Sequence, residues 1–129
     1  MKIVNRCAMT VAPRQPFTAW AQQLPSDQPL QPVAFEPSLY LLPTYDSREE
    51  AIGLLAQSYE EIFRAELETW STDPATWPSP RSLDLFQEWF AFRFFDLVSD
   101  QDQALLAHLE VDESLLDLLR GAIKDSSLS

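Results

Sequence analysis

The sequence predicts a single α+β domain in which a small sheet of about three strands packs against one long and several short helices. Two periodicities indicate this class. Apolar residues recur at helical spacing after Ser47, and they alternate with other residues near the N-terminus and before Val98. The 129 residues fit one domain, so we expect residues 1–98 to form the core and residues 100–124 a leucine-rich helical extension.

The N-terminal segment is predicted to form a strand and then a short helix. Apolar side chains occupy every second position between residues 3 and 11, which is typical of a strand with one buried face, and Asn5 interrupts that face. Pro13 ends the strand, and Pro16 suits the first turn of a helix. The buried side chains would be Ile3, Cys7, Met9 and Val11 in the strand and Phe17, Trp20 and Leu24 in the helix.

A proline-rich connection leads to the second predicted strand. Residues 25–37 contain four prolines, and we expect an extended loop because proline fixes the backbone and removes an amide donor. The strand is expected over residues 38–45, where Leu39 and Leu41 face one side and the intervening residues face the other. Pro43 cannot donate to a ladder, so it marks a sheet edge or the end of the strand.

The clearest predicted helix begins after Ser47. The Ser47 hydroxyl can cap the free amides of the first turn, while Glu50 reaches back in a capping box. Apolar residues then recur at 3.6-residue spacing as far as Trp70, which corresponds to about six turns. The polar face of this helix is mostly acidic and is a candidate binding surface that includes Glu60 and Glu61.

An aromatic run from Phe86 to Phe95 is predicted to lie in the core and to change from helix to strand, since large rings dominate burial. Ser82 is a suitable N-cap for a helix that ends at about Trp89. A strand to Val98 should follow, because aromatic residues favour strands and a stable sheet needs a third strand. A helical stripe is the competing interpretation. The rings are Phe86, Trp89, Phe90, Phe92, Phe94 and Phe95.

Two short helices are predicted beyond Ser99, with N-caps at Asp102 and Asp112 and an end near Gly121. Their leucines either cover the sheet or contact a partner. Covering is favoured, because exposed apolar patches on monomers are normally small. The leucines are at positions 105, 106, 109, 115, 116, 118 and 119.

Charge is distributed unevenly along the chain, whose net charge is −11. Residues 1–45 carry three basic and two acidic side chains, a net +1, which leaves −12 on the residues that follow. Such a negative field repels nucleic-acid phosphates and anionic membranes, so we expect no direct binding to either. The charge favours a protein partner with a basic or mixed surface. An acidic protein that mimics nucleic acid is a third hypothesis, behind a protein-interaction module and a small-ligand binder or enzyme.

No residue pattern predicts catalysis, a metal site or a cofactor. Cys7 and His108 are the only thiol and the only imidazole, and no glycine-rich turn lies near either. Gly53 and Gly121 are the only glycines, so the loops that cradle phosphates are missing. The carboxylates show no metal-ligand spacing. We therefore expect no metal and no cofactor, and a non-catalytic protein is favoured over an enzyme.

Two further groups of residues are candidate contact sites. Trp77 and Arg81 lie in a proline-rich loop, and exposed Trp and Arg are typical anchors of protein interfaces. The alternative is that they pin the loop onto the core of the domain. Arg93 and Asp96 interrupt an apolar aromatic segment, so at least one of them should be desolvated or lie at a sheet edge.

The favoured function is a non-catalytic protein-interaction or accessory module that uses the acidic helix face and the Trp/Pro loop. Its partner would be another protein with a basic or mixed surface, or a second copy of the chain in a homodimer. The alternative is a small-ligand binder or an enzyme with a carboxylate near Asp96 in an aromatic-lined pocket. A single cysteine and the lack of a long apolar run predict a cytoplasmic protein.

Four segments resemble small acidic bacterial proteins of unassigned function: YDSREEA, YEEIFRAELETW, DPATWPSPR and LFQEWFAFRFFDLV. The resemblance spans about residues 38–98 and the N-terminal strand, and it leaves the leucine-rich tail outside. It implies a bacterial cytosolic origin. It implies no activity and no site residue.

Overall fold

The structure is a computed structural model that describes residues 1–25 and 35–110. Within these ranges it contains three α-helices, a three-stranded antiparallel sheet and a two-stranded sheet, which confirms the predicted α+β class. In chain order the elements are β1 (Lys2–Ile3), β2 (Cys7–Pro13), α1 (Gln15–Gln22), β3 (Ser38–Leu42), α2 (Arg48–Glu68), a short 3₁₀ turn (Pro74–Thr76), α3 (Leu83–Trp89), β4 (Phe90–Phe95) and β5 (Ser99–Asp100).

The central strand of the larger sheet is β2, with β3 and β4 antiparallel on its two sides. Met9 pairs with Tyr40 of β3 and with Phe94 of β4, and this row faces the helices. Since side chains alternate along a strand, the adjacent rows point away from the helices. We call that side the outer sheet face, and it consists of Ala8, Thr10, Ala12, Leu39, Leu41, Ala91, Arg93 and Phe95.

Phe63 of α2 lies at the centre of the core and is fully buried. Its ring centroid lies 5.9 Å from that of Phe86 and 5.7 Å from that of Trp89, both on α3. It also lies 5.4 Å from the ring of Phe90, the first residue of β4. The rings meet in the tilted and edge-to-face arrangements that aromatic pairs prefer. One cluster of rings therefore joins α2 to the place where α3 becomes β4.

The predicted start of α2 is confirmed by its cap. Ser47 Oγ accepts a hydrogen bond from the backbone amide of Glu50 at 3.2 Å. The Glu50 carboxylate in turn accepts from the amide of Asp46 at 2.7 Å, one residue before the N-cap. The capping box thus satisfies two free donors, and it does so from the residue types that the sequence supplies locally.

The predicted change from helix to strand is also confirmed. Ser82 Oγ accepts from the amide of the third helical residue at 3.1 Å, α3 ends at Trp89, and Phe90 is extended with φ −137° and ψ 141°. The predicted end of the strand at Val98 is wrong, because β4 ends at Phe95 and the residues that follow leave the ladder.

The strand predicted between residues 3 and 11 is interrupted at Asn5. β1 contains Ile3 and pairs with β5, whereas β2 begins at Cys7. Asn5 is exposed at the bend between them, since a buried face offers a polar amide few partners. Ile3, which was predicted to be buried, is therefore exposed. β3 likewise ends at Leu42, short of the predicted residue 45.

The first predicted C-terminal helix is not formed, because residues 101–110 contain no helical residue. Asp102 does accept a hydrogen bond from the amide of Ala104 at 3.1 Å, as an N-cap would. The leucines in this segment are nevertheless exposed, and a short helix without packing is marginal in water. The second predicted helix, from Asp112, and residues 26–34 of the proline-rich loop lie outside the described residues.

Removing the Phe63 ring tests how much of the stability of the fold depends on it. We expect Phe63→Ala to lower the free energy of unfolding by about 3–5 kcal/mol, because it removes a fully buried ring and leaves a cavity between α2, α3 and β4. Urea denaturation followed by circular dichroism measures this change.

Phe95→Ala is the matched control, since it removes the same ring from a partly exposed position on the outer sheet face. It should cost less than half as much as Phe63→Ala. An equal loss in the two variants would contradict the central role assigned to Phe63.

Candidate functional site

Trp77 and Arg81 come together, but on the protein's own core. Trp77 is half-buried, and its indole Nε1 donates a hydrogen bond to the carbonyl of Ser71 at 2.9 Å. The guanidinium of Arg81 lies over the Trp77 ring, 5.6 Å from its centroid, and Nη1 donates to the carbonyl of Pro78 at 3.2 Å. This arrangement favours a loop anchored on the domain over a loop that projects toward a partner.

The remaining candidate residues lie on different sides of the domain. Glu60 and Glu61 are exposed on α2 in the helix layer. Arg93 points from the outer sheet face, with its guanidinium 5.0 Å from the centroid of the Phe95 ring. Asp96 follows β4 directly and is exposed. Because β4 is an edge strand, Arg93 and Asp96 fit the expectation of charged residues at a sheet edge.

Asp96 lines an open cleft of about 240 Å³ with Tyr45, Arg48, Ala51 and Phe94. The rings of Tyr45 and Phe94 meet edge to face with their centroids 5.9 Å apart. The pKa of Tyr45 is raised, first by burial and then by the nearby thiol of Cys7 and carboxyl of Asp96, while Arg48 lowers it. The cleft offers a carboxylate, a guanidinium and a phenol to a small polar ligand.

Residues 1–25 and 35–110 contain no candidate group of metal ligands and no candidate membrane-spanning helix. Nowhere in these ranges do three or more His, Cys, Asp or Glu side chains gather as metal ligands. Of the helices there, none is long and apolar enough to cross a bilayer.

The most unusual polar group is Glu66, which the sequence analysis did not single out. It lies on the apolar stripe of α2, four residues after Ile62 and three after Phe63, and it is only 8 % exposed. This helical spacing is the signal that could have identified it, because a carboxylate on a buried stripe needs specific partners. Those partners come from β3.

Two side chains of β3 contact the Glu66 carboxyl. Ser38 Oγ donates a hydrogen bond to Oε2 at 3.2 Å, and the Tyr40 hydroxyl also interacts with the carboxyl group. Oε1 is buried, and it has no hydrogen-bond partner among the described residues. Burial raises the pKa of Glu66 to about 7, although both β3 side chains lower it. Burial and the Glu66 charge together raise the pKa of Tyr40.

The opposite side of β3 forms one ridge of the outer sheet face. Leu39 is 60 % exposed and Leu41 is 43 % exposed. On the far side of β2, Phe95 of β4 forms a second ridge and is 37 % exposed. Between the ridges β2 presents small side chains, with Ala8 paired to both Leu41 and Phe95. The face is therefore a shallow apolar trough.

Several hollows adjoin this trough at Leu41, and two of them lie next to the N-terminal segment. One has a volume of about 380 Å³ and the other about 370 Å³, and both are lined in part by Val4, Leu41 and Leu106. They lie between the N-terminal segment, β3 and the segment that follows β5. Their walls mix apolar and polar side chains, because Arg6 and His108 also line the first hollow and Asp100 and Asp102 the second.

Comparison of the chain with protein-family models, with curated proteins and with solved structures finds no match. The resemblance to small acidic bacterial proteins accordingly stays a prediction.

The buried carboxyl of Glu66 should make stability depend on pH. Its pKa is raised from the usual 4.5 to about 7 in the folded protein, so the folded state holds the proton more tightly than the unfolded chain. Its contribution is therefore most favourable below pH 4.5 and is lost as pH rises through about 7. As the pH rises from 4 to 8, the wild type loses this contribution and Glu66→Gln does not. We therefore expect the free energy of unfolding of Glu66→Gln, relative to that of the wild type, to increase by on the order of 3 kcal/mol over this range.

Chemical denaturation at a series of pH values measures this difference. Glu61→Gln is the control, because it makes the same change at an exposed position of the same helix and should show no comparable trend. A pH-independent difference between Glu66→Gln and the wild type would show that Glu66 is not a buried acid.

Proposed function

We propose that this protein is a non-catalytic protein-interaction module that binds a folded protein partner through its outer sheet face. The proposal keeps the function favoured by the sequence. It moves the contact surface from the acidic helix face and the Trp/Pro loop to the opposite side of the domain.

The observation that carries the proposal is the exposure of large apolar side chains along both ridges of this face. Leu39, Leu41 and Phe95 lie on one side of a sheet whose other side packs against the helices, and small residues of β2 lie between them. Exposed apolar patches on soluble domains commonly mark interaction sites. When helices cover one face of a sheet, a further layer of secondary structure can pack on the other face.

The predicted anchors support this shift of surface. The indole Nε1 of Trp77 donates its hydrogen bond to the carbonyl of Ser71, and the ring packs against the core. Less of the indole surface is therefore exposed for contact with a partner. Glu60 and Glu61 are exposed charged residues, and the exposed large apolar side chain of α2 among the described residues is Ile52. Interface energy usually comes from buried apolar and aromatic anchors with charges at the rim, so the ridges are the better candidates.

Site-specific photo-cross-linking tests the proposal in cells that express the protein. We expect Leu39→p-benzoylphenylalanine to give a discrete protein adduct, because position 39 lies on the proposed contact surface. The same reagent at Ile52, an exposed apolar position of α2, and at Glu61, on the acidic helix face, should give none. Adding Phe95→Glu to the position-39 variant should abolish the adduct, since it places a charge on the other ridge.

The pattern of adducts decides between surfaces. An adduct at position 52 or 61 but not at position 39 would overturn the proposed surface in favour of the acidic helix face. No adduct at any of the three positions would contradict the interaction function.

The second candidate function is binding of a small polar ligand in the Asp96 cleft. Asp96, Arg48 and two aromatic rings line this cleft, which supports the alternative derived from the sequence. A carboxylate beside a guanidinium suits a ligand that carries both an amine and an acid group.

A thermal-shift screen with amino acids and related zwitterions tests this candidate. A true ligand should raise the melting temperature of the wild type in a concentration-dependent way, and Asp96→Asn should remove the shift. Asp84→Asn, at an exposed carboxylate on α3, is the control and should retain it. Identical shifts in all three proteins would exclude binding in this cleft.

A further inference from the structure

We infer that the contact of the Glu66 carboxyl group with Ser38 and Tyr40, which we call the Glu66 latch, controls strand β3 by gaining or losing a proton. With the proton bound, the latch holds the inner side of β3 against α2. Loss of the proton opens this part of the strand to water, and the ridge of Leu39 and Leu41 loses its fixed position. The latch belongs to β3 itself, and its role as a regulator of binding rests on the proposed function.

The carboxyl group of Glu66 lies between α2 and β3 with one oxygen unpartnered. Oε2 accepts the hydrogen bond of the Ser38 hydroxyl at 3.2 Å, whereas the buried Oε1 has no partner among the described residues. A neutral acid tolerates this arrangement better than a carboxylate, because a buried charge needs a counter-ion or water. Ionisation therefore destabilises the contact between α2 and β3.

β3 provides no counter-charge for an ionised Glu66. The described side chains that shift the pKa of Glu66 are Ser38 and Tyr40, and each favours the ionised form by a hydrogen bond without carrying a charge. Burial outweighs both and raises the pKa of Glu66 to about 7. Glu36, which lies before the strand, is exposed and has the same sign of charge. The carboxyl group therefore changes its charge near neutral pH without compensation from this side.

α2 provides no counter-charge for Glu66 either. Arg64 and Glu68 lie two positions away, and side chains at this spacing do not face each other on a helix. The positions one turn away carry no titratable side chain, and they are Ile62, Phe63, Thr69 and Trp70.

β3 is the element that gives way, because it is held less firmly than α2. The helix buries Leu55, Phe63 and Leu67 in the core. β3 buries only Leu42, and it pairs with a single strand, β2. Elements with few buried apolar contacts open at a lower free energy than the core of a domain.

A third hollow at Leu41 gives water a route to the carboxyl group. It has a volume of about 310 Å³, lies between β3 and α2, and is lined in part by Tyr40, Ser58 and Glu61. Tyr40 lines this hollow and also contacts Glu66, so a shift of the Tyr40 side chain admits water to the buried oxygen. Glu61 is an exposed carboxylate and has the same sign of charge as an ionised Glu66.

Two apolar contacts confine the opening to the middle of β3. Before the strand, Phe35 stacks on Trp70 with ring centroids 4.8 Å apart, and at its end Leu42 is buried. Neither contact involves a proton, so both persist when Glu66 ionises. Leu39 and Leu41 lie between them. A partner that contacts both leucines therefore binds best to the protonated form, in which the ridge is already in place.

Hydrogen exchange of the full chain tests the latch. From pH 5 to pH 8, we expect the open population of the β3 amides to rise by at least about tenfold, after correction for the pH dependence of the intrinsic exchange rate. The change in the pKa of Glu66 from 4.5 to about 7 sets an upper limit on the order of a hundredfold. Glu66→Gln stays neutral and should show no such rise.

β4 is the internal control, because it is the other edge strand of the same sheet and also pairs with β2. Its amides should depend less on pH than those of β3. Tyr40→Phe removes a hydroxyl that favours the ionised form, so it should extend the rise to higher pH. Equal rises in β3 and β4, or an unchanged rise in Glu66→Gln, overturn the latch.

Photo-cross-linking from position 39 in lysate adjusted to pH 6 and to pH 8 tests the regulatory role. The adduct yield should fall by more than about twofold at pH 8, and added Glu66→Gln should keep it high. Equal yields at both pH values overturn the regulation and leave the proposed function intact. If no adduct forms at either pH, the proposed function and the regulation both fall, whereas hydrogen exchange still decides on the latch because it needs no partner.

Discussion

The contact on which the rest of the structure depends is the packing of Phe63 against the rings at the junction of α3 and β4. α3 ends at Trp89. The Trp89 carbonyl accepts a hydrogen bond at 2.8 Å from the amide of Arg14, the residue that follows β2. The next residue, Phe90, already pairs with Pro13 in the ladder. Phe63 therefore holds α2 at the point where α3 passes directly into β4. Burial of these rings supplies much of the hydrophobic stabilisation of a domain of this size.

Strand β3 serves the two sides of the sheet with alternate residues. Ser38 and Tyr40 point inward to the buried carboxyl of Glu66, while Leu39 and Leu41 point outward as a ridge. The contacts with Glu66 therefore hold this edge strand from its inner side, in addition to its ladder with β2 and the buried side chain of Leu42. A negative charge on Glu66 destabilises the fold because the carboxyl group is buried. This buried acid lies on the inner side of β3, opposite the proposed contact surface. The structure thus links the ionisation of Glu66 to the strand that a partner would touch.

Segregation of charge gives the domain two unlike sides. Exposed carboxylates lie on the helices and in loops such as those that contain Asp46 and Asp96, and the outer sheet face has none. Net charge predicts repulsion of phosphates and attraction of basic proteins, and the exposed carboxylates of the helices are the groups that would produce both effects. On the other side, Leu39, Leu41 and Phe95 are exposed with no carboxylate among them.

Local signals in the sequence determined the starts of α2 and α3 and the change to strand at Phe90, because caps, periodicity and aromatic preference act within a few residues. Helical spacing also places Glu66 on the buried stripe of α2, but it does not indicate which residues contact its carboxyl group. Only the tertiary structure decided that β2 is the central strand, that Ser38 meets Glu66, and that the two ridges flank Ala8. These features depend on pairing between residues far apart in the chain, and no local pattern encodes which strand lies beside which.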